Sequence, residues 1–320
     1  MGLTNSQVTR LLREEKIFDR VKLENYLLVA LGVRKSSLTV FPAELFDGAS
    51  IGATVDQIFL ERYTGDDRRS KLGLVGLFGG LKAACERAVK GPLGYKAGLI
   101  RKIFERVLAE SPSYKVHKVW AKELGLKTYE VELRPTVREF YLYRDHEFLK
   151  LLRMVQHRRQ AVWEEVRQGW RQPVLGMGQL FPEERDREFL EMLGSLLGHP
   201  SCCVGQYIAD RISGEIAPEL RASNQIKEYK REGKHIEAHA YYVKDFFPCH
   251  PNCQRAANLG RRAHQALEGL DPRLGGLYVQ VLEENVALVE NYPELIDEHY
   301  RRLREKSDLF QAGRSRLSRD

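Results

Sequence analysis

The tetrapeptide His-Pro-x-Cys occurs twice in the chain, at residues 199–202 and 250–253. Four of the five cysteines lie in or next to these two copies: Cys202, Cys203, Cys249 and Cys253. The proline keeps the backbone before it extended, and Ser201 or Asn252 is of a residue type that caps helices. Helical patterns follow both copies. The repeat therefore predicts two helix N-termini whose cysteines meet at one shared centre.

Cysteines at helix N-termini are suited to bind a metal as thiolates. Free amide hydrogens and the positive end of the helix dipole lower the pKa of a thiol at that position. In a reducing compartment, paired cysteines are more often metal ligands or redox groups than disulfide bridges. We therefore predict a metal site whose ligands are Cys202, Cys203, Cys249 and Cys253.

Two cofactors are compatible with this ligand set. Cys249 and Cys253 have the Cys-x3-Cys spacing of a zinc knuckle. Cys202 and Cys203 do not, because adjacent side chains in a helix diverge by roughly 100 degrees. A 4Fe-4S cluster spreads its iron atoms and tolerates this divergence better, so the pattern favours a 4Fe-4S cluster, with zinc as the alternative. If one cysteine of the adjacent pair is not a ligand, one iron is open to a substrate.

Histidines near the cysteines are further candidates. His199 and His250 open the two copies of the repeat, and each could ligate the metal, donate a proton to a substrate or hydrogen-bond to a thiolate. We take these two as the candidate catalytic residues. His235 and His239 are four residues apart and would share a helix face, but no third ligand accompanies them at a known spacing. Ordinary surface or core positions are the favoured interpretation for that pair.

Hydrophobic periodicity predicts an α+β fold that is predominantly helical. Strands are expected at residues 37–41, 128–133 and 137–143, which would form a small sheet in the N-terminal half. Residues 55–63 are compatible with either a helix or a strand. From residue 145 onward the pattern is mostly helical, and glycine and proline in segment 172–182 indicate a linker. We therefore expect an α+β domain at residues 1–171, of no indicated role, and a helical domain with the four-cysteine site at residues 172–320.

The composition excludes some classes of protein. The chain has 320 residues, a formal net charge of +7 and five cysteines, too few and too clustered for a disulfide framework. It contains no apolar run long enough to cross a bilayer, and its first ten residues are too polar for a secretory signal, so a cytoplasmic protein without a membrane partner is expected. Cys85, inside a helical pattern, is expected to be a structural thiol.

Two other stretches have both a functional and an ordinary interpretation. Glycines at positions 73, 76, 79 and 80 precede a helical pattern and could cradle a phosphate, but their spacing matches neither a P-loop nor a dinucleotide fingerprint, which favours close packing or a tight turn. Trp163 and Trp170 lie among arginines, as in some proteins that bind single-stranded RNA or DNA. Such tryptophans are more often anchors in a core, and the charge bias is mild, so RNA is a weak expectation as a partner.

Residues 183–268 resemble a known protein family. Segment 198–204, Gly-His-Pro-Ser-Cys-Cys-Val, segment 247–253, Phe-Pro-Cys-His-Pro-Asn-Cys, and Gly260 are similar to the prokaryotic domain-of-unknown-function family 483. The signature of that family is a Gly-Tyr-Pro-x-Cys-Cys turn followed by a Pro-Cys-x3-Cys turn. His199 stands where the family has an aromatic residue. The resemblance implies that the four cysteines act together, and it implies no activity.

These observations lead to three functional hypotheses. The first is a 4Fe-4S protein, an enzyme of the cluster-dependent lyase or sulfur-transfer type that acts on a small or nucleotide-like substrate. The second is a zinc-stabilised module that binds nucleic acid. The third is a cluster-based redox sensor. The sequence contains no paired carboxylates, nucleophile motif or cofactor loop that would identify a reaction.

Overall fold

The computed structural model describes residues 3–69, 94–169, 181–298 and 301. In those ranges, the helices are α1 (Asn5–Leu12), α2 (residues 19–30), α3 (Gly48–Arg69), α4 (residues 94–110), α5 (Pro112–Glu123), α6 (His146–Arg167), α7 (Arg187–Leu197), α8 (Ser201–Ser213), α9 (Pro218–Arg231), α10 (Gln254–Leu270), α11 (Pro272–Glu290) and α12 (residues 292–298). The strands are β1 (Ser36–Phe41), β2 (Lys127–Arg134) and β3 (Val137–Tyr143), and short 3-10 helices cover Pro182–Arg185 and Ala238–Tyr241. The glycine-rich stretch at 73–80, Cys85 and Trp170 lie outside the described residues.

The three strands form an antiparallel sheet with β3 at its centre. Tyr141 of β3 is opposite Leu38 of β1 on one side and Tyr129 of β2 on the other. β3 is buried along almost its whole length, as expected for a central strand. The predicted α+β fold, mostly helical with a small N-terminal sheet, is confirmed, and the ambiguous residues 55–63 belong to α3.

Helix α2 is tied to β1 by buried polar groups. Its central stretch, Lys22–Leu27, is π-helical and buried throughout. The side-chain amide of Asn25 donates to Thr39 Oγ1 at 2.9 Å, and Ser37 Oγ donates to the main-chain oxygen of Asn25 at 3.0 Å. A buried polar group without a partner is costly, so this pairing fixes how α2 lies on the strand.

A tyrosine–histidine pair lies in the same core. Tyr26 Oη donates to the main-chain oxygen of His117 at 3.0 Å and lies 2.8 Å from His117 Nδ1. Since a phenol has one hydrogen, both contacts are satisfied when Nδ1–H donates to Tyr26. His117 Nε2 has no hydrogen-bond partner within the described part of the chain, and burial lowers the pKa of His117 to about 4. The ring is therefore held neutral.

Two glycines allow elements near the cysteines to approach closely. A Cβ atom on Gly260 of α10 would lie 2.1 Å from the main-chain oxygen of His239, so the 3-10 helix Ala238–Tyr241 rests directly on the α10 backbone. A Cβ on Gly194 of α7 would lie 2.5 Å from Val204 of α8. Both contacts exclude any larger residue without a shift of the backbone or of the neighbouring side chain.

The chain divides into two compact units, Met1–Phe148 and Leu149–Asp320. The sheet belongs to the first unit and helices α7 to α12 to the second. The boundary predicted from the sequence, between residues 171 and 172, lies outside the described residues. Among the residues that the structure describes, none of the helices has the length and apolarity that a membrane crossing requires.

Candidate metal centre

The first cysteine pair lies in the first turn of α8. Helix α7 ends at Gly198, whose φ of 74° is left-handed, and the chain then turns into Pro200, the N-cap of α8. The main-chain oxygen of Pro200 accepts from the amides of Cys203 and Val204 at 2.9 and 3.0 Å. The prediction that Ser201 caps this helix is wrong, because Ser201 is already its first residue.

The second cysteine pair lies on the turn that leads into α10. Cys253 is the N-cap of α10, and Cys249 lies on the preceding loop. Asn252 is not the cap. Its side chain accepts from the amide of Glu237 at 2.9 Å and donates to the main-chain oxygen of His235 at 3.0 Å. This amide therefore fastens the cysteine turn to residues 235–237 instead of closing the helix end.

The four sulfur atoms form one compact group. Cys203 Sγ lies 3.6 Å from Cys253 Sγ, 3.8 Å from Cys249 Sγ and 3.9 Å from Cys202 Sγ. Cys202 and Cys253 are 3.7 Å apart, and all four sulfurs lie within 4.8 Å of one another. The two halves of the repeat do converge, and the group is a candidate metal site within the described residues.

Burial and crowding decide the charge that these sulfurs carry. Cys203 and Cys253 are only 1% and 9% exposed, while Cys202 and Cys249 are half-buried. Burial raises the pKa of Cys203 and of Cys249. Burial also acts to raise the pKa of Cys253, but a hydrogen bond from the Ala256 amide and the neighbouring thiols outweigh it, and the net pKa is lowered. One thiolate is thus favoured, and further thiolates beside it need a compensating cation.

Arg221 of α9 holds the loop that carries Cys249. Its Nη1 donates to the main-chain oxygen of Pro248 at 3.1 Å and lies 3.5 Å from that of Cys249, while its Nε donates to Asp210 of α8 at 2.6 Å. The amide of Cys249 in turn donates to Cys203 Sγ at 3.5 Å. Sequence reasoning missed Arg221, which has no motif around it.

Both histidines of the repeat are hydrogen-bonded to tyrosines. His250 Nε2 lies 2.6 Å from Tyr229 Oη, and His250 Nδ1 accepts from the amide of Asn252 at 3.1 Å. His199 Nδ1 lies 2.7 Å from Tyr242 Oη. Neither histidine is in the group that could hold the ion, which contains only the cysteines. Their catalytic role stays a prediction, and the tyrosine partners were not predicted.

Three arginines of α6 are engaged with carboxylates. Arg158 forms a 2.6 Å ion pair with Asp186, and Arg167 lies 3.2 Å from Glu164. Arg159 is buried and lies 3.7 Å from Glu183. A face that binds nucleic acid needs cations directed at phosphates. RNA as a partner stays a prediction.

Of the two histidines predicted to share a helix face, only one is helical. His235 lies outside any helix, while His239 is in the 3-10 helix Ala238–Tyr241. The ring of His239 instead lies beside that of His264, with 3.2 Å between His239 Nε2 and His264 Nδ1.

Comparisons of the chain with protein-family models, with curated proteins and with solved structures find no match. The resemblance to family 483 therefore stays a prediction, and any functional proposal has to rest on the geometry of the site itself.

Proposed function

We propose that Cys202, Cys203, Cys249 and Cys253 bind one metal ion as a tetrahedral tetrathiolate, with zinc as the best-matched ion. The observation that carries the proposal is the sulfur spacing: four of the six sulfur–sulfur distances are 3.6–3.9 Å, and all four atoms lie within 4.8 Å of one another. A Zn–S bond of about 2.3 Å in a regular tetrahedron gives sulfur–sulfur separations of about 3.8 Å. The four shorter separations are therefore close to those of a tetrathiolate site for one small ion.

This geometry answers the objection to zinc that the sequence raised. Cys202 and Cys203 were expected to diverge, yet their sulfurs are 3.9 Å apart. A 4Fe-4S cluster binds each cysteine to a different iron, which requires more widely separated sulfurs. A single ion therefore fits with less movement.

The role of such an ion is structural. Four protein ligands complete a tetrahedron and leave no coordination position for a substrate. The ion would join the start of α8 to the turn before α10, and its binding free energy would become folding free energy of the second unit. A zinc-stabilised module is accordingly the function that the site supports best.

A 4Fe-4S cluster is the second candidate. Its support is the all-cysteine ligand set and the partial exposure of Cys202 and Cys249. With a 4Fe-4S cluster at this site, the hypotheses of a lyase, a sulfur-transfer enzyme or a redox sensor would apply.

The deciding experiment is metal and sulfide analysis of the full chain purified without oxygen. We expect a colourless protein with one zinc per chain and no sulfide. A brown protein with iron and acid-labile sulfide would establish the cluster instead, and a protein free of metal would overturn both candidates.

Single Cys→Ala variants then identify the ligands. Substitution of any of the four cysteines should remove most of the metal, while Cys85→Ala, outside both motifs, should leave the metal content unchanged. Full metal retention in Cys203→Ala and Cys253→Ala would exclude the site.

A further inference from the structure

A second group of nitrogen and oxygen ligands lies beside the 3-10 helix Ala238–Tyr241. His239 Nε2 and His264 Nδ1 are 3.2 Å apart, with the two rings stacked at a centroid distance of 5.4 Å. The close approach at Gly260, one turn before His264 on α10, brings the two rings together. Both histidines are half-buried, so solvent reaches the site.

Glu237 determines which nitrogen of His239 is free to bind. Its Oε1 lies 2.9 Å from His239 Nδ1 and also accepts the amide of His239 at 3.3 Å. A carboxylate at that distance holds the hydrogen on Nδ1, so Nε2 carries its lone pair toward His264. This carboxylate–histidine arrangement is the one that orients imidazole ligands in metal sites.

The charge of Glu237, beside the two histidines, is balanced by an arginine. Arg261 Nη1 donates to the other oxygen of Glu237 at 2.8 Å, and the amide of Glu237 is held by Asn252. The guanidinium charge is therefore offset by the carboxylate, and Glu237 is fixed from two directions. The position of His239 does not depend on an ion being present.

We propose that His239 and His264 form a two-histidine site for a borderline divalent cation of the zinc, nickel or copper type. Imidazole nitrogens suit these ions. With a metal–nitrogen bond of about 2.0–2.1 Å, two nitrogens of a tetrahedral ion lie about 3.3–3.4 Å apart, close to the observed 3.2 Å. Water completes the coordination.

Entry of the ion requires one rearrangement. The hydrogen shared by the two nitrogens belongs to His264 Nδ1, since His239 Nε2 is the acceptor. Neutral His264 has to carry that hydrogen on Nε2 instead, so Nδ1 offers its lone pair to the ion. No net proton is released and no bond to carbon changes.

The test is a titration of the full chain, with its native metal in place at the cysteines, using Ni²⁺ alone as the probe. We expect one Ni²⁺ per chain beyond the cysteine-bound metal, with paramagnetic broadening of the ring signals of His239 and His264. His239→Gln and His264→Gln should each weaken Ni²⁺ binding at least tenfold, while the exposed control His157→Gln should bind like the wild type.

Two results would overturn this site. One is the absence of any additional Ni²⁺, and the other is unchanged Ni²⁺ affinity in His264→Gln. The metal content of the cysteine site is measured in every variant, so a loss of Ni²⁺ binding caused by misfolding is recognised. If His239→Gln also loses the metal at the cysteines, that variant is set aside. The Ni²⁺ affinity of His264→Gln then decides the test alone.

Discussion

Arg221 Nε and Asp210 Oδ2 form a 2.6 Å ion pair between α9 and α8, with side chains only 10% and 5% exposed. Asp210 is on the helix whose first turn contains Cys202 and Cys203, and Arg221 also donates to the carbonyl just before Cys249. One buried pair therefore connects the two halves of the cysteine site through main-chain and side-chain contacts.

Substitution of Arg221 by Met should strongly destabilise the second unit. Asp210 would be left buried without its charge partner, which costs about 3–5 kcal/mol. Urea unfolding of the metal-loaded protein and the rate of metal transfer to a chelator should both show the loss.

The matched control is Arg231→Met, since Arg231 lies at the end of the same helix in an exposed pair with Glu228. Its cost should stay below about 1 kcal/mol. The double variant Asp210→Asn with Arg221→Met should be less destabilised than the two single losses added together. Equal unfolding midpoints for Arg221→Met and Arg231→Met would contradict this role of the buried pair.

His117 should make the first unit sensitive to acid. Its pKa falls from 6.5 in the unfolded chain to about 4 in the fold, so the unfolded state binds the extra proton between these values. The contribution of His117 to the free energy of unfolding is fully present above pH 6.5. It is lost as the pH falls toward 4, by up to about 3 kcal/mol. His117→Gln should lower stability at pH 7 and flatten the decline between pH 6.5 and 4.5, measured by urea unfolding. A decline as steep as in the wild type would show that other groups cause it.

Gly260→Ala should be destabilising, by about 1–3 kcal/mol, because the added methyl meets the main-chain oxygen of His239. Gly269→Ala is the control in the same helix, with no atom within 4 Å of its added Cβ. It should be neutral or stabilising by up to about 1 kcal/mol, since alanine favours helix. Thermal unfolding distinguishes the two variants, and equal melting temperatures would show that the backbone adjusts at no cost.

Metal removal should loosen the second unit locally. A chelator in reducing buffer should accelerate amide hydrogen exchange at residues 199–204 and 248–254, because four crowded sulfurs lose the cation that offsets their charge. Strands β1 and β3, in the first unit, should exchange as before and serve as the internal reference. Unchanged exchange at the cysteines would mean that hydrogen bonds alone hold the turn.

The elements that the sequence predicts well are those with a strong local pattern. The sequence predicts β3 at its observed bounds, Val137–Tyr143, because its apolar and aromatic residues lie between clear turn signals. The predicted caps are wrong at both cysteine motifs, since a residue type cannot reveal what its side chain binds. Ser201 lies inside α8, and Asn252 binds residues 235–237.

The sequence predicts which four cysteines come together but not what surrounds them. The repeat identifies the cysteines as candidates because it is a short, unusual pattern in the sequence. Arg221 contacts a loop 27 residues further along, and His239 meets a ring 25 residues away, so neither contact leaves a short-range pattern. The divergence expected for Cys202 and Cys203 follows from the angle between adjacent helical residues alone and leaves out side-chain rotation. Adjacent Cα atoms are about 3.8 Å apart, and side-chain rotation can bring the sulfurs to a similar distance.

The two halves of the ligand set differ in when they can form. Cys202 and Cys203 share one turn of α8, so a helix that needs only local contacts supplies two sulfurs at once. Cys249 follows Cys203 by 46 residues. During synthesis from the N-terminus, α8 can hold an ion by two sulfurs before the closing turn has been made, and α9 must then fold back before the ion is enclosed. Capture of the proposed ion would thus have a direction along the chain.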